Sequence, residues 1–377
     1  MRKLARINKE ETFEVIDWLR FPLVLLVVYI HSVGDEIKYD SIDFSHLSSF
    51  DLYNLLKVGI SNVLAHIAVP IFFFISGFLF FRNIKEWDYS IYILKLKKRI
   101  KSLFLPFILW NSIAIFLILQ GLIRTHGLDS AIDFLGDNHY LRLYWDCNMW
   151  EDYRCNWLGI STPMYGPYLP PLWYLRDLMV MSLFVPCFYC LFKYTKFWGL
   201  VILFFCYISG VGLNCPGFHT TSVFFFGAGA YISIKKIDFI KWLWRFRFVI
   251  IPIQVLLLFI TIRFLGYHTR IGEFIYPFFV IMGSATAFCI ATFFVKKALL
   301  IPHIFSESSF FIYLSHYILV TSFSTSLMKV LLGTSNPLLM SIGYLLSPFI
   351  SVTICMLVYL FLRRITPSIC SILVGFR

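Results

Sequence analysis

The sequence predicts an all-α, polytopic membrane bundle of about ten transmembrane helices with both termini in the cytoplasm, and three observations carry that expectation. Of its 377 residues, 59% are hydrophobic and only 14% are charged, with a mean hydropathy of +0.76, far from the balance of a domain whose surface meets water. Apolar runs near the roughly 20 residues that a bilayer core requires recur along the whole chain. Lys and Arg gather in every second connection, as the positive-inside rule demands of cytoplasmic loops.

The runs follow in order. The first, 16–34, comes after the basic residues Arg2, Lys3, Arg6 and Lys9. It starts like a signal peptide, but no small-residue cleavage site follows and the run continues to His31, so it is read as a retained span. A loop with Asp35, Glu36, Asp40, Asp43 and Asp51 leads to the second run, 59–82. Arg82, Lys95, Lys97, Lys98, Arg99 and Lys101 then precede the third, 102–123. A hydrophilic stretch, 124–170, is expected outside the cytoplasm. It carries Trp145, Asp146, Trp150, Glu151, Asp152, Tyr153, Arg154, Asn156 and Trp157, aromatic faces beside carboxylates and amides that suit a sugar but also occur at any membrane interface. The remaining runs are 171–193, 197–213, 219–234, 248–266, 274–295, 309–332 and 338–362, with further basic clusters at Lys193 and Lys196, Lys235 to Arg247, Lys296 and Lys297, and Arg363 and Arg364. No internal repeat and no long linker interrupts them, so residues 1–377 are expected to form a single integral-membrane domain.

Several function classes lack support. A net charge of +12 points first to nucleic acid, but the basic residues lie in short clusters between apolar runs and form no groove or known motif, so no nucleic-acid partner is expected. Nine cysteines show no CxxC and no zinc spacing, so no metal is expected; only Cys147 and Cys155 stand out as disulfide candidates. There is no GxSxG elbow, Walker loop, dinucleotide fingerprint or HExxH.

Ionisable groups inside spans are costly and usually face a cavity or one another. Arg20 and His31 are eleven residues apart, which returns them to one helical face roughly 16 Å apart along the axis. Asp17 lies one turn below Arg20. In the second span His66, and in the fourth Arg176 and Asp177, reach roughly 7 to 11 Å from the outer surface, near the level of His31. His316 in the ninth span is expected nearer the middle, with Glu307 at its cytoplasmic end. Each has a structural reading too: a lone intramembrane His often joins helices. Arg176 and Asp177 are adjacent and so each needs a partner on another helix, with Trp173 in position to hold the guanidinium by a cation–π contact. Histidine remains the best proton-transfer group available.

These residues fall in recognisable strings: IDWLRFPLVLLVVYIHS with Arg20 and His31, VPIFFFISGFLF with Pro70, Ser76 and Gly77, KLKKRIKSLFLPFILWN, PLWYLRD ending at Asp177, and SSFFIYLSH ending at His316. In this order they resemble the membrane-bound acyltransferase 3 family, which includes O-antigen and enterobacterial common antigen O-acetyltransferases, over nearly the whole chain. One departure stands out: the family's Arg-x-x-Arg before the third span is Arg99 followed by Ser102, with Lys98 and Lys101 as a displaced basic pair. The resemblance implies a multi-pass acyltransferase of a bacterial cell membrane that moves an acyl group, most often acetyl, from cytoplasmic acyl-CoA to a hydroxyl of a cell-surface or lipid-linked glycan. It implies catalytic roles for His31, Arg20, Arg176 and Asp177, with Arg176 stabilising oxyanion charge, and donor binding by Arg99, Lys98 and Lys101. The rivals are a glycan exporter, which a bundle with intramembrane charge also suits, and a non-catalytic component of polysaccharide assembly.

Overall fold

A computed structural model of the chain describes residues 2–32, 46–82, 84, 87–137, 139–155, 157–158, 161–213, 215–265, 269–331 and 336–376. The acidic residues Asp35, Glu36, Asp40 and Asp43, and Asn156, lie outside the described residues, as do the side chains of Trp150 to Arg154. The chain divides into two compact units, one of residues 1–75 with 235–359 and one of residues 76–234 with 360–377.

The first unit is built on α1 (Arg2–His31). Val15, Ile16, Leu19, Leu23, Val24, Val27 and Val28 are buried, a spacing of three to four that draws one apolar stripe down the helix. That stripe packs on α13 (Arg270–Lys296) and α14 (His303–Leu331). Near its start, Glu11 pairs with Lys296 at 2.8 Å and the Trp18 ring stacks on Phe294 at 5.0 Å. The Trp18 indole N–H donates to the carbonyl of Leu299 at 3.1 Å. Phe21 meets Phe305 edge-on at 4.7 Å, and the far end of α1 meets α14 again at His31 and His316. The first and second contacts fall in the same chain order on both helices, so α1 and α14 are parallel. α15 (Pro337–Ile365) runs the opposite way: Tyr344 near its start meets Tyr29 at the far end of α1 at 5.7 Å, and Tyr359 near its end meets Phe311 in the first half of α14 at 5.5 Å.

The second expected span is one helical stretch from Ser49 to Phe81 with two irregular turns inside it. After α2 (Ser49–Lys57) come a π-turn, Val58–Val63, and a 3-10 turn, Leu64–Ile67, before α3 (Ala68–Phe81). These turns change the helical phase. They bring Ser61 under the Tyr29 carbonyl at 2.6 Å and against the Tyr344 hydroxyl at 2.6 Å. The unit is completed by α12 (Phe239–Leu265) alongside α13.

In the second unit, α4 (Tyr89–Arg99) passes through a π-turn, Ile100–Phe104, into α5 (Leu105–His126). The stretch expected outside the cytoplasm folds as α6 (Leu128–Asp137), α7 (Arg142–Trp145) and an antiparallel hairpin of β1 (Cys147–Cys155) and β2 (Ser161–Gly166), with Cys155 opposite Ser161 and Cys147 opposite Gly166. This overturns the disulfide expectation. β1 bulges between Cys147 and Asp152, so Cys147 and Cys155 stand opposite Gly166 and Ser161, roughly 16 Å apart on the usual rise and still far beyond disulfide reach; Cys147 is a buried thiol. The hairpin leads to α8 (Trp173–Leu183) and α9 (Val185–Tyr194), which bend by 57° at Phe184. Pro186 in the first turn of α9 removes a backbone donor and crowds the residue before it, so the helix breaks there. α10 (Phe197–Ser209), α11 (Thr220–Ile234) and the short α16 (Pro367–Leu373) follow. An apolar cavity of about 350 Å³ lies between α8, α9, α10 and α11, lined by residues such as Met181, Phe188, Leu203 and Phe218; among the described residues no histidine or carboxylate lines it.

Each of the ten expected spans falls on a helix, but length and apolarity alone qualify five among the described residues, or six if α8 and α9 count as one. The shortfall has physical causes. α10 and α11, of 13 and 15 residues, rise only about 20 Å against a core of about 30 Å, and α1 carries Glu14, Asp17 and Arg20 in its apolar half.

Gly77 of the second string has a packing reason. A Cβ there would run into the backbone oxygen of Phe226 and lie 2.9 Å from its carbonyl carbon, backbone that cannot rotate away. Gly77→Ala must push α3 off α11 and is expected to destabilise by about 1–3 kcal/mol, read as a lowered melting temperature of the detergent-purified protein.

Candidate active site

His31 is the last residue of α1 and Arg20 lies three turns below it on the same unbroken helix, so the sequence expectation of one shared face holds, with the two ends roughly 16 Å apart. At the lower end Arg20 pairs with Asp17 at 3.0 Å, both side chains about half exposed. The Ser306 hydroxyl of α14 donates to the same Asp17 oxygen at 2.6 Å. Asp17 therefore ties Arg20 to the neighbouring helix and holds its guanidinium in place while leaving donors free for a ligand.

At the upper end the His31 ring lies 5.3 Å from the His316 ring, tilted by 40°, and meets Tyr317 edge-on at 5.2 Å. His66 lies on the 3-10 turn Leu64–Ile67, which packs on α1, and its ring faces Tyr276 at 6.3 Å. His316 thus sits beside His31 rather than deeper in the bundle as expected. Its helix begins at His303, six residues before the expected start of 309, so His316 stands further along its axis than counting from 309 implied. Sequence reasoning also missed Tyr317 and Ser306. Both sit on the helix of His316, with Ser306 ten residues before it.

The ring orientations are fixed by backbone. Nδ1 of His316 lies 2.8 Å from the Tyr313 carbonyl and 3.1 Å from the Ile312 carbonyl; because carbonyls only accept, that nitrogen carries the proton and Nε2 holds a bare lone pair. His66 uses Nδ1 in the same way, donating to the Asn62 carbonyl at 2.7 Å. His316 is buried and its Nε2 has no hydrogen-bond partner among the described residues. Among those residues no group of three His, Cys, Asp or Glu side chains converges to hold a metal ion.

Arg176 and Asp177 belong to the second unit and are both fully buried. They pair with each other, contrary to the expectation that each would need another helix: the long Arg176 side chain folds back so that Nη2 and Nε donate to Asp177 Oδ1 at 2.9 and 3.1 Å. Nη1 donates to the carbonyls of Trp145 and Tyr165 at 2.8 and 3.0 Å, and Asp177 Oδ2 accepts from the His219 backbone N–H at 3.4 Å. The ring under the guanidinium is Trp145 at 5.9 Å, whereas Trp173 packs against His219 at 5.4 Å with the rings tilted by 45°. The pair therefore fastens α7, the end of the hairpin and the start of α11 onto α8.

Lys98, just before the π-turn, and Lys101, within it, are exposed, and Arg99 lies 5.9 Å over the Phe80 ring, where the ammonium of Lys95 also donates to the Phe80 carbonyl. Gly375 packs on the backbone of Lys101 and Ser102 from the other side, so close that a Cβ would meet Ser102 Cα at 2.7 Å. The π-turn widens the helix at this point and spreads the basic side chains.

Comparison with known proteins bears on this arrangement. A family model described as an acyltransferase domain matches residues 13–360. The chain is 26% identical over 381 aligned residues, 96% of its own length and 92% of the relative's, to the succinoglycan biosynthesis protein ExoH of Rhizobium meliloti (strain 1021). No solved structure matches.

Proposed function

This chain belongs to the acyltransferase family, and from that premise we propose that it moves an acyl group, in the first instance acetyl, from acyl-CoA on the cytoplasmic side to a hydroxyl of a cell-surface or lipid-linked glycan. The name of its relative, a succinoglycan biosynthesis protein, supports a polysaccharide acceptor. The observation that carries the reading is α1: a cationic group, Arg20, and an imidazole, His31, on one face of one membrane helix, the first held by Asp17 and the second facing His316. Arg20 supplies paired donors for the anionic phosphates of the donor; within the second unit, Arg99, Lys98 and Lys101 are basic groups whose charge also suits a phosphate. His31 meets the thioester and the acceptor hydroxyl and handles the proton of transfer. Arg176 and Asp177 serve the reaction by holding the outer loops in register.

The test is transfer of label from radiolabelled acetyl-CoA to endogenous glycans in membranes containing the protein. Label on glycan supports the reading; no transfer from any acyl-CoA would shift the assignment to a glycan exporter. In the same assay Arg20→Met is expected to raise the KM for acyl-CoA about tenfold with a smaller change in kcat, the pattern of a lost ground-state contact.

A further inference from the structure

Resting on that acyltransfer reading, we propose that His316 is the positioning base of His31: its Nε2 accepts the ring N–H of His31, fixes that ring's tautomer and shares its charge during transfer.

Three observations converge. The first is orientation. Because Nδ1 of His316 is committed to the carbonyls of Ile312 and Tyr313, Nε2 lies on the ring edge away from its own backbone and can act only as an acceptor. The second is cost. His316 is 1% exposed and Nε2 has no partner among the described residues; a buried polar atom left unpaired is unfavourable, and such atoms concentrate where chemistry needs them. The third is reach. The His31 ring lies 5.3 Å away, centroid to centroid, on the parallel helix α1, a spacing at which ring rotation brings two imidazole nitrogens to hydrogen-bond distance. Catalytic hydrogen bonds are often long until substrate binds.

Their burial separates their roles. His31 is partly accessible while His316 is buried behind it, so only His31 touches substrate and His316 acts through it. In the step itself the acceptor O–H bond breaks and its proton goes to the free nitrogen of His31. The hydroxyl oxygen bonds to the acyl carbon, and the C–S bond breaks with its electron pair on sulfur. His31 then gives a proton to the departing thiolate. His316 ends as it began, having held the second His31 proton while the imidazolium existed. His66 and Tyr317 complete the surroundings of this pair: His66, on the 3-10 turn Leu64–Ile67, has its Nδ1 occupied by Asn62, and the phenol ring of Tyr317 is edge-on to His31.

The test compares the purified wild-type protein with H316F and H316Q. H316F keeps a ring of similar shape but no acceptor, and is expected to lower kcat about 100-fold with the KM for acetyl-CoA within about twofold. H316Q restores an acceptor near Nε2 without a titratable group; its kcat is expected within about tenfold of wild type, with an altered pH profile of kcat. Wild-type kcat in folded H316F, or H316Q as slow as H316F, overturns the proposal. Should H316F fail to fold, H316Q decides alone: an unchanged pH profile overturns it and a changed one supports it. A wild-type protein that transfers nothing from acetyl-CoA sinks the acyltransfer reading itself, whereas an active wild type matched by H316F sinks only this inference.

Discussion

His31→Ala will lower acyl transfer by at least about 10²–10⁴-fold, the range expected when a positioned proton-transfer group is removed, while the protein stays folded. His31 is the last residue of α1 and is only partly buried, whereas the packed core around it is made by Val27, Val28 and Tyr29, so truncating it opens little cavity in that core. Its nearest ring partners, His316 and Tyr317, belong to α14, which is held to α1 lower down by Ser306 and Phe305. The loss should therefore lie in kcat and leave thermal unfolding unchanged. The measurement is label transfer per mole of monodisperse protein. A variant working at more than a tenth of the wild-type rate would remove His31 from the chemistry.

Arg176→Met will fail in the opposite way, by losing the fold and not the reaction. It strips a fully buried carboxylate of its partner and leaves the carbonyls of Trp145 and Tyr165 unbonded. Breaking a buried pair from one side costs about 3–5 kcal/mol, enough to unfold a marginally stable protein. The double variant R176M/D177L removes both charges and should recover part of that loss, because no buried charge is then left uncompensated. Yield after detergent extraction and melting temperature measure the stability, and transfer per folded molecule measures the activity. Single variants that stay as stable as wild type but stop transferring acyl groups would show that Arg176 works on the reaction.

The stripe on α1 was legible because helical phase is a local property: Asp17, Arg20 and His31 needed only a continuous helix to line up, and α1 is continuous. The residues that complete it were not legible in position. Ser306 and His316 reach α1 through the packing of a helix nearly three hundred residues later, and the early start of α14 shifted His316 along the bundle. Arg176 and Asp177 were found as buried charge but assigned partners by helix geometry alone. A long side chain in the first turn of α8 can fold back on its neighbour, and it captured loop carbonyls that no periodicity reveals. The hairpin of β1 and β2 was hidden for a similar reason, since its strands show no apolar alternation and the register slips between Cys147 and Asp152.

The continuity of α1 has a last consequence. On the reaction proposed above, in which Arg20 meets the phosphates of the donor and His31 its carbonyl, the two groups lie roughly 16 Å apart along one helix, and the helix would act as a gauge for the donor. A carrier whose anionic group and reactive carbonyl lie closer together than that, such as acetyl phosphate, cannot occupy both marks at once and is turned away by its length, whatever its charge. The gauge stops at the carbonyl carbon. It says nothing about what extends beyond, so any preference for one acyl chain over another must be set by the side chains past His31.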